Sequence, residues 1–263
     1  MTERTALVTV AHADDVAFFC GGRVARWAEE GWRVVVRATN DDKDSVGLDK
    51  AETERRNTQE FQAAMAALGV HQIEELGYVT DTLGDASEVE LRERLIRLYR
   101  KHKPYAVMSF DPYGAFHEDN QDHIKVAQAA DEAYWTSMFD KHHPEHFAEG
   151  LAPHAVFERW YFARRLLEVT DPIDVSGQVD KVIAAVASHE TMLGHMVHQW
   201  RLQAATVDME VPMLQGTPSL GAIAAAIVRA GLADTGRRHG LEYAEEYRVT
   251  RPPIAALARL GAL

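Results

Sequence analysis

Cysteine is almost absent: Cys20 is the single one in 263 residues, so no internal disulfide can form and nothing demands an oxidising compartment. Basic charge is also short, 28 Lys and Arg against 40 Asp and Glu, for a net charge of −12. That balance argues against sequence-independent nucleic-acid binding, which needs cations against phosphates. Long apolar runs are missing. The best candidate, 220–232, is short and interrupted by Arg229, so no membrane contact is expected. The first five residues lack a leader layout, and the expectation is a cytoplasmic protein. No Gly-x-Gly-x-x-Gly follows the first strand, which leaves dinucleotide binding without a motif. No repeat or Gly/Ser/Pro-rich linker divides the chain.

What remains is an ordinary globular composition, 46% hydrophobic and 26% charged. Short β-branched runs alternate with helical periodicity through the first half. Strands are expected at 6–11, 33–39, 73–77 and 105–110, with helices at 21–30, 51–68 and 88–102 between them. A helix at 122–134, an irregular stretch at 138–154, a strand at 155–162 and one long helix at 179–205 follow. The tail beyond 207 reads as a loop and at least one more helix. Strand–helix–strand order of this kind implies right-handed crossovers. The fold class is therefore α/β, Rossmann-like, with a mostly parallel sheet, helices on both faces and a smaller C-terminal helical or irregular portion. We read one domain over 1–263, its core at about 5–135, with 136–263 shaping the substrate site or subunit contacts.

Two loops concentrate hard ligands, and both leave strand ends. One is His12-Ala13-Asp14-Asp15; the other runs from Asp111 to His123 and holds His117, Glu118, Asp119, Asp122 and His123. In an open parallel sheet, ligands bind beyond the carboxyl ends of strands at the point where the connections diverge. With the order 3-2-1-4-5, strands one and four flank that crevice and the two loops face each other. One carboxylate and two imidazoles make a donor set suited to zinc with a position left for water. Of the two adjacent aspartates, one can bind metal while the other accepts a proton from that water. His123, at the start of a helix, is the best-placed third ligand.

Residues 11–22, Ala-His-Ala-Asp-Asp-Val-Ala-Phe-Phe-Cys-Gly-Gly, resemble the A-H-P-D-D…G-G signature of the LmbE-like (PIG-L-type) zinc N-deacetylases. Asp111-Pro112-Tyr113-Gly114 followed by Asn120-Gln121-Asp122-His123 is similar to that family's second loop, and Asp174-Val175-Ser176 and Tyr243-Ala244-Glu245 resemble later segments. The resemblance implies one Zn2+ per chain held by His12, Asp15 and His123, with Asp14 as general base and Asp122 as a catalytic aspartate orienting or assisting near the water. It implies removal of an N-acetyl group from an amino sugar or N-acetylglucosaminyl conjugate, and a homo-oligomer such as a trimer or hexamer.

The resemblance is imperfect at Ala13, Asn120 and Phe116, where relatives carry proline, histidine and tyrosine. His117 is the candidate to replace the missing imidazole at Asn120, and Tyr113 the nearby phenol. Further substrate-binding candidates are Asp42 in the loop after strand two, Arg55 or Arg56 on the next helix, Asn120 itself, and His189, matching a late histidine of the family. Gly21-Gly22 is expected to let a helix N-terminus offer its N–H groups to substrate. His142, His143, His146 and His154 read as surface residues. The competing readings are an amidase on another N-acyl or S-conjugate substrate, and a catalytically lapsed metal-binding module.

Overall fold

The computed structural model describes residues 4–39 and 46–254, so Asp42 lies outside the described residues. A seven-stranded sheet runs in the order β3-β2-β1-β4-β5-β7-β6. The five strands β1 (Thr5–His12), β2 (Arg33–Thr39), β3 (Gln72–Glu75), β4 (Ala106–Phe110) and β5 (Glu158–Phe162) are parallel. Every residue of β1 is buried, as a central strand covered on both faces requires. Its odd and even positions feed different cores. Ala6, Val8 and Val10 face one side, where α1 (Gly21–Glu29), α2 (Lys50–Ala67) and α6 (Val179–Ser188) pack; Leu7 and Ala11 face α3 (Glu88–His102) and α4 (Gln121–Thr136).

The expected neighbours β1 and β4 do pair, Ala6 beside Ala106 and Val8 beside Met108, so both strands deliver their carboxyl ends to one edge. The C-terminal part is more sheet-like than its pattern suggests. β7 (Ala244–Thr250) runs antiparallel against β5, and β6 (Asp171–Asp174) adds to its far side. β6, Asp-Pro-Ile-Asp, is short and polar, and β7, Ala-Glu-Glu-Tyr-Arg-Val-Thr, buries Ala244, Tyr247 and Val249 but interleaves them with charged residues, so neither has the apolar run that marks a buried strand.

The expected long helix at 179–205 is two helices, α6 and α7 (Glu190–Thr206), broken at His189 with φ −84° and ψ 61°. The break has a partner: Glu60 of α2 accepts Thr191 N–H at 3.0 Å and its hydroxyl at 2.7 Å, capping α7 from outside. A second correction concerns His146. It is buried, with its ring between Arg100 Nη1 at 3.0 Å and Glu93 Oε1 at 2.7 Å. The fully buried Arg100 guanidinium also donates to the carbonyls of Ser137, Phe139, His142 and His143, and so organises the stretch expected to be irregular, which includes α5 (Glu145–Ala148). His143, Glu145 and His146 form a ligand-like trio, but Arg100 already supplies the cation there. No helix among the described residues is long and apolar enough to cross a membrane.

Candidate metal centre

β1 ends at His12 and the chain turns at once. The His12 N–H donates to Asp15 Oδ2 at 2.8 Å, closing the turn and aiming that carboxylate back at the strand end. A five-residue wide turn, Val16–Cys20, carries the chain into α1. From β4 the chain passes through a 3₁₀ turn, Pro112–His117, to α4, whose first turn places His123 opposite. Asn120 caps that helix, its Oδ1 accepting the Asp122 N–H at 2.9 Å.

His12 Nδ1 and His123 Nε2 then lie 3.2 Å apart, with Asp15 Oδ1 3.2 Å from His123 Nε2 and Asp15 Oδ2 3.7 Å from His12 Nδ1. Donor atoms of these three buried residues all fall within 4.8 Å of one another. The outward nitrogen of each imidazole meets another carboxylate. His12 Nε2 is 3.2 Å from Asp122 Oδ2, and His123 Nδ1 is 3.1 Å from Glu118 Oε2. Carboxylates behind the histidines fix ring orientation and tautomer, an arrangement typical of metal-binding imidazoles. The donor set, one carboxylate and two imidazoles backed by acids, fits a divalent ion.

Electrostatics point the same way. Burial lowers the His12 pKa, but the Asp122 hydrogen bond and the charges of Asp15 and Asp14 outweigh it and raise it to about 9. Burial likewise opposes the His123 charge, yet Asp15 and Glu118 raise its pKa to about 10. Asp15 is held below the usual carboxylate range: burial raises it, and His123 and His12 more than compensate. Positive charge is what this cluster is built to hold. Asp14, half-buried beside Asp15, adds its field to His12.

Asp122 sits behind His12. Its Oδ1 accepts Gly84 N–H at 2.6 Å and its Oδ2 the Asp81 N–H at 2.9 Å, so it also clamps the 78–86 loop. Glycine is required at 84, since a Cβ there would lie 2.8 Å from Gln121 Cβ and 3.2 Å from Asp122 Oδ1. His123 is sandwiched by aromatics: the Phe110 ring stacks on it at 4.1 Å and Phe19 meets it edge-on at 6.1 Å.

The other candidates scatter. His189 is buried, its Nε2 has no hydrogen-bond partner, and burial pushes its pKa down to about 4 although Asp15 opposes this. Tyr113 is exposed beside Arg248, and His117 is exposed at the end of the 3₁₀ turn. Arg55 and Arg56 are exposed on α2 and both pair with Glu52; Arg55 lines a polar cleft with Glu54, Glu75 and Tyr78. Asp111 forms a buried two-point ion pair with Arg248 at 2.7 and 2.8 Å, tying β4 to β7. The N-terminus of α1 is not open to a ligand as expected. Glu245 of β7 accepts Gly22 N–H at 2.7 Å and Arg23 N–H at 2.8 Å.

Glu118 was legible only as one member of an acidic cluster; its pairing with His123 depends on the 3₁₀ turn. Its carboxyl is pulled down to about 2, burial opposing while His123, the Asn120 N–H and Arg164 prevail. Gly84 and Asp81 carry no chemical signal that would link them to Asp122.

Residues 7–134 match the family described as "PIG-L: GlcNAc-PI de-N-acetylase". Among solved structures, an N,N'-diacetylchitobiose deacetylase from Pyrococcus horikoshii is similar at TM-score 0.76 and 18% identity, over 95% of this chain and 85% of that one. A 4-carboxy-2-hydroxymuconate hydratase from Pseudomonas putida is similar at 0.65 and 19%, over 95% and 97%. A teicoplanin deacetylase in a zinc-inhibited form gives 0.58 and 14%, over 94% and 98%. These likenesses establish the fold.

Proposed function

We propose, from the premise that over residues 7–134 this chain belongs to the PIG-L (LmbE-like) family, that it is a metal-dependent N-deacetylase acting on an N-acetylated amino sugar or its conjugate. The observation that carries the reading is the convergence of His12, Asp15 and His123 with the Asp14 carboxylate beside them. We read His12 Nδ1, His123 Nε2 and Asp15 as the ligands of one ion, taken to be zinc. The chemistry such an ion supplies is Lewis-acid polarisation of an amide carbonyl and acidification of water.

Asp14 is the general base in this reading. It is next to a ligand yet not among the convergent donors, and it receives the proton that water must lose as the amide carbon is attacked. The same carboxyl returns that proton to the departing amine, so that acetate and a free amino group result. Asp122 and Glu118 keep the imidazoles oriented: Asp122 hydrogen-bonds the His12 Nε2 that faces away from the ion, and Glu118 lies 3.1 Å from His123 Nδ1 as its ion-pair partner. Phe110 and Phe19 shield His123 from water, which strengthens every charge interaction in the crevice. His189, uncharged and with Nε2 unpartnered, is a neutral hydrogen-bonding group for the substrate. Arg55, in its polar cleft, is a candidate for sugar hydroxyls, as are Asp42, Tyr113, His117 and Asn120; Arg56 is the alternative to Arg55. In this reading the substrate is a small molecule met in the cytoplasm, and the C-terminal part is the candidate surface for a homo-oligomer.

The test is acetate release from N-acetylglucosamine and N,N'-diacetylchitobiose by protein loaded with zinc. Release that a chelator abolishes and zinc restores supports the reading. Zinc retention without acetate from a broad N-acyl panel overturns it.

A further inference from the structure

The two imidazoles of the metal centre are backed by acids that are held in different ways. Asp122, behind His12, is fixed by backbone, its oxygens accepting the N–H groups of Gly84 and Asp81. Glu118, behind His123, depends in part on a side chain. Its Oε1 accepts the Asn120 N–H at 3.0 Å and the Arg164 Nε–H at 3.1 Å, which leaves Oε2 turned toward His123 Nδ1 at 3.1 Å. Neither Glu118 Oε2 nor His123 Nδ1 has a hydrogen-bond partner elsewhere among the described residues, so each has only this ion pair.

Arg164 reaches its place through strand register. Phe162 closes β5 opposite Phe110 of β4, and Arg164 stands two residues beyond that end. The 3₁₀ turn packs over the exit because Gly114 has no side chain; a Cβ there would lie 3.0 Å from Ala163 Cβ. Glu118, directly after the turn, then meets the guanidinium. The same guanidinium lies 5.5 Å above the Phe19 ring, and Phe19 meets His123 edge-on at 6.1 Å. Arg164 thus holds two neighbours of the His123 ring, while Phe110, stacked on its face, is fixed within the core. Its own side chain is half exposed, whereas those of Glu118 and His123 are 7% and 3% exposed. A surface cation is fastened to a buried ligand through one carboxylate.

We infer that Arg164 is a positioning residue of the metal centre: it sets the Glu118 carboxylate and, through it, the His123 ring that presents Nε2 to the ion. A carboxylate beside Nδ1 favours the tautomer with its proton there and the Nε2 lone pair toward the ion. The inference rests on the reading of His123 as a ligand and on nothing about the substrate. The sign of the effect separates positioning from charge. A guanidinium repels a divalent cation, so as a charge alone Arg164 weakens metal binding and its removal tightens it. As a positioner it does the opposite, because a fixed ring and tautomer raise affinity.

The experiment titrates zinc into the full-length protein against a chromophoric chelator. It compares the unaltered chain with Arg164→Ala, Arg164→Lys, Glu118→Gln and the double variant Arg164→Ala/Glu118→Gln. Because the Arg164 side chain is half exposed, its variants are expected to keep the fold, checked by circular dichroism. Arg164→Ala is expected to weaken zinc binding by about 3–10-fold, less than the roughly 10–100-fold of a direct partner because Arg164 acts one step further out. Arg164→Lys is expected to recover part of that loss, since an ammonium can hold the carboxylate although it cannot lie flat on Phe19. On the Glu118→Gln background, Arg164→Ala is expected to change affinity by less than about twofold, because its route to His123 is already cut. Zinc binding that is unchanged or tighter in Arg164→Ala overturns the inference, as does a loss that persists in full on the Glu118→Gln background. Unaltered protein that takes up no zinc overturns the reading of His123 as a ligand, and the inference with it.

Discussion

His12 Nδ1 and His123 Nε2 face each other across the β1–β4 crevice at 3.2 Å, a contact that two imidazoles sustain only with a proton or a cation between them. Asp15, Asp122 and Glu118 surround the pair and hold both pKa values up, to about 9 for His12 and about 10 for His123, against an ordinary value of 6.5. A divalent ion must therefore displace protons. At pH 7, zinc binding is expected to release at least one proton per site, read by calorimetry in buffers of different ionisation enthalpy. Binding without proton release contradicts this.

The same shifts set the pH dependence of the metal-free fold. Because both folded-state pKa values are raised, their contribution to stability is complete below about pH 6.5 and is lost as pH climbs through about 9 and 10. With chelator present, Tm is expected to fall between pH 7 and pH 10. Zinc-loaded protein, whose imidazoles hold the ion instead of protons, is expected to show a smaller fall over that range.

Asp14→Asn keeps the shape of the turn and removes only the proton acceptor. Turnover is expected to fall by about 10²–10⁴-fold, with zinc content unchanged by metal analysis. Near-normal turnover would assign the base elsewhere.

Asp122 binds both His12 and the N–H groups of Asp81 and Gly84. Asp122→Ala is expected to weaken zinc affinity by about 10–100-fold and to loosen the 78–86 loop as well. Glu118→Gln, which touches no such loop, is expected to lower affinity without that loosening. Hydrogen exchange over 78–86 separates the two.

Gly22 admits the Glu245 carboxylate to the first turn of α1, and a Cβ there would lie 2.7–2.8 Å from the Val175 side chain. Gly22→Ala is expected to cost about 1–3 kcal/mol through overpacking and loss of that cap. Denaturant unfolding measures it.

The parallel half of the fold was legible because β1 and β2 are dense in β-branched residues, β4 and β5 carry short apolar or aromatic runs, and helices carry their own caps, such as Ser87 and Asn120. The pairing of the two ligand loops followed from strand order alone. What escaped depends on partners distant in the chain. The helix break at His189 is stabilised by Glu60, 131 positions from Thr191, and the ordering of 137–150 by Arg100 of α3. β6 is a short polar edge strand, and β7, which lies between it and β5, buries Tyr247 and Val249 at alternating positions among charged residues, so neither shows a continuous apolar run. Within the site, residue types at strand ends made His12, Asp15 and His123 visible, whereas the backing role of Glu118 needs the turn geometry between it and His123.

The most direct test of the account is zinc stoichiometry after dialysis, compared between the unaltered protein and His123→Ala. One equivalent per chain in the first and less than about a tenth in the second is the result predicted for a site with three protein ligands. A full equivalent retained by His123→Ala, with its fold intact by circular dichroism, would show that the β1 and β4 loops do not share an ion.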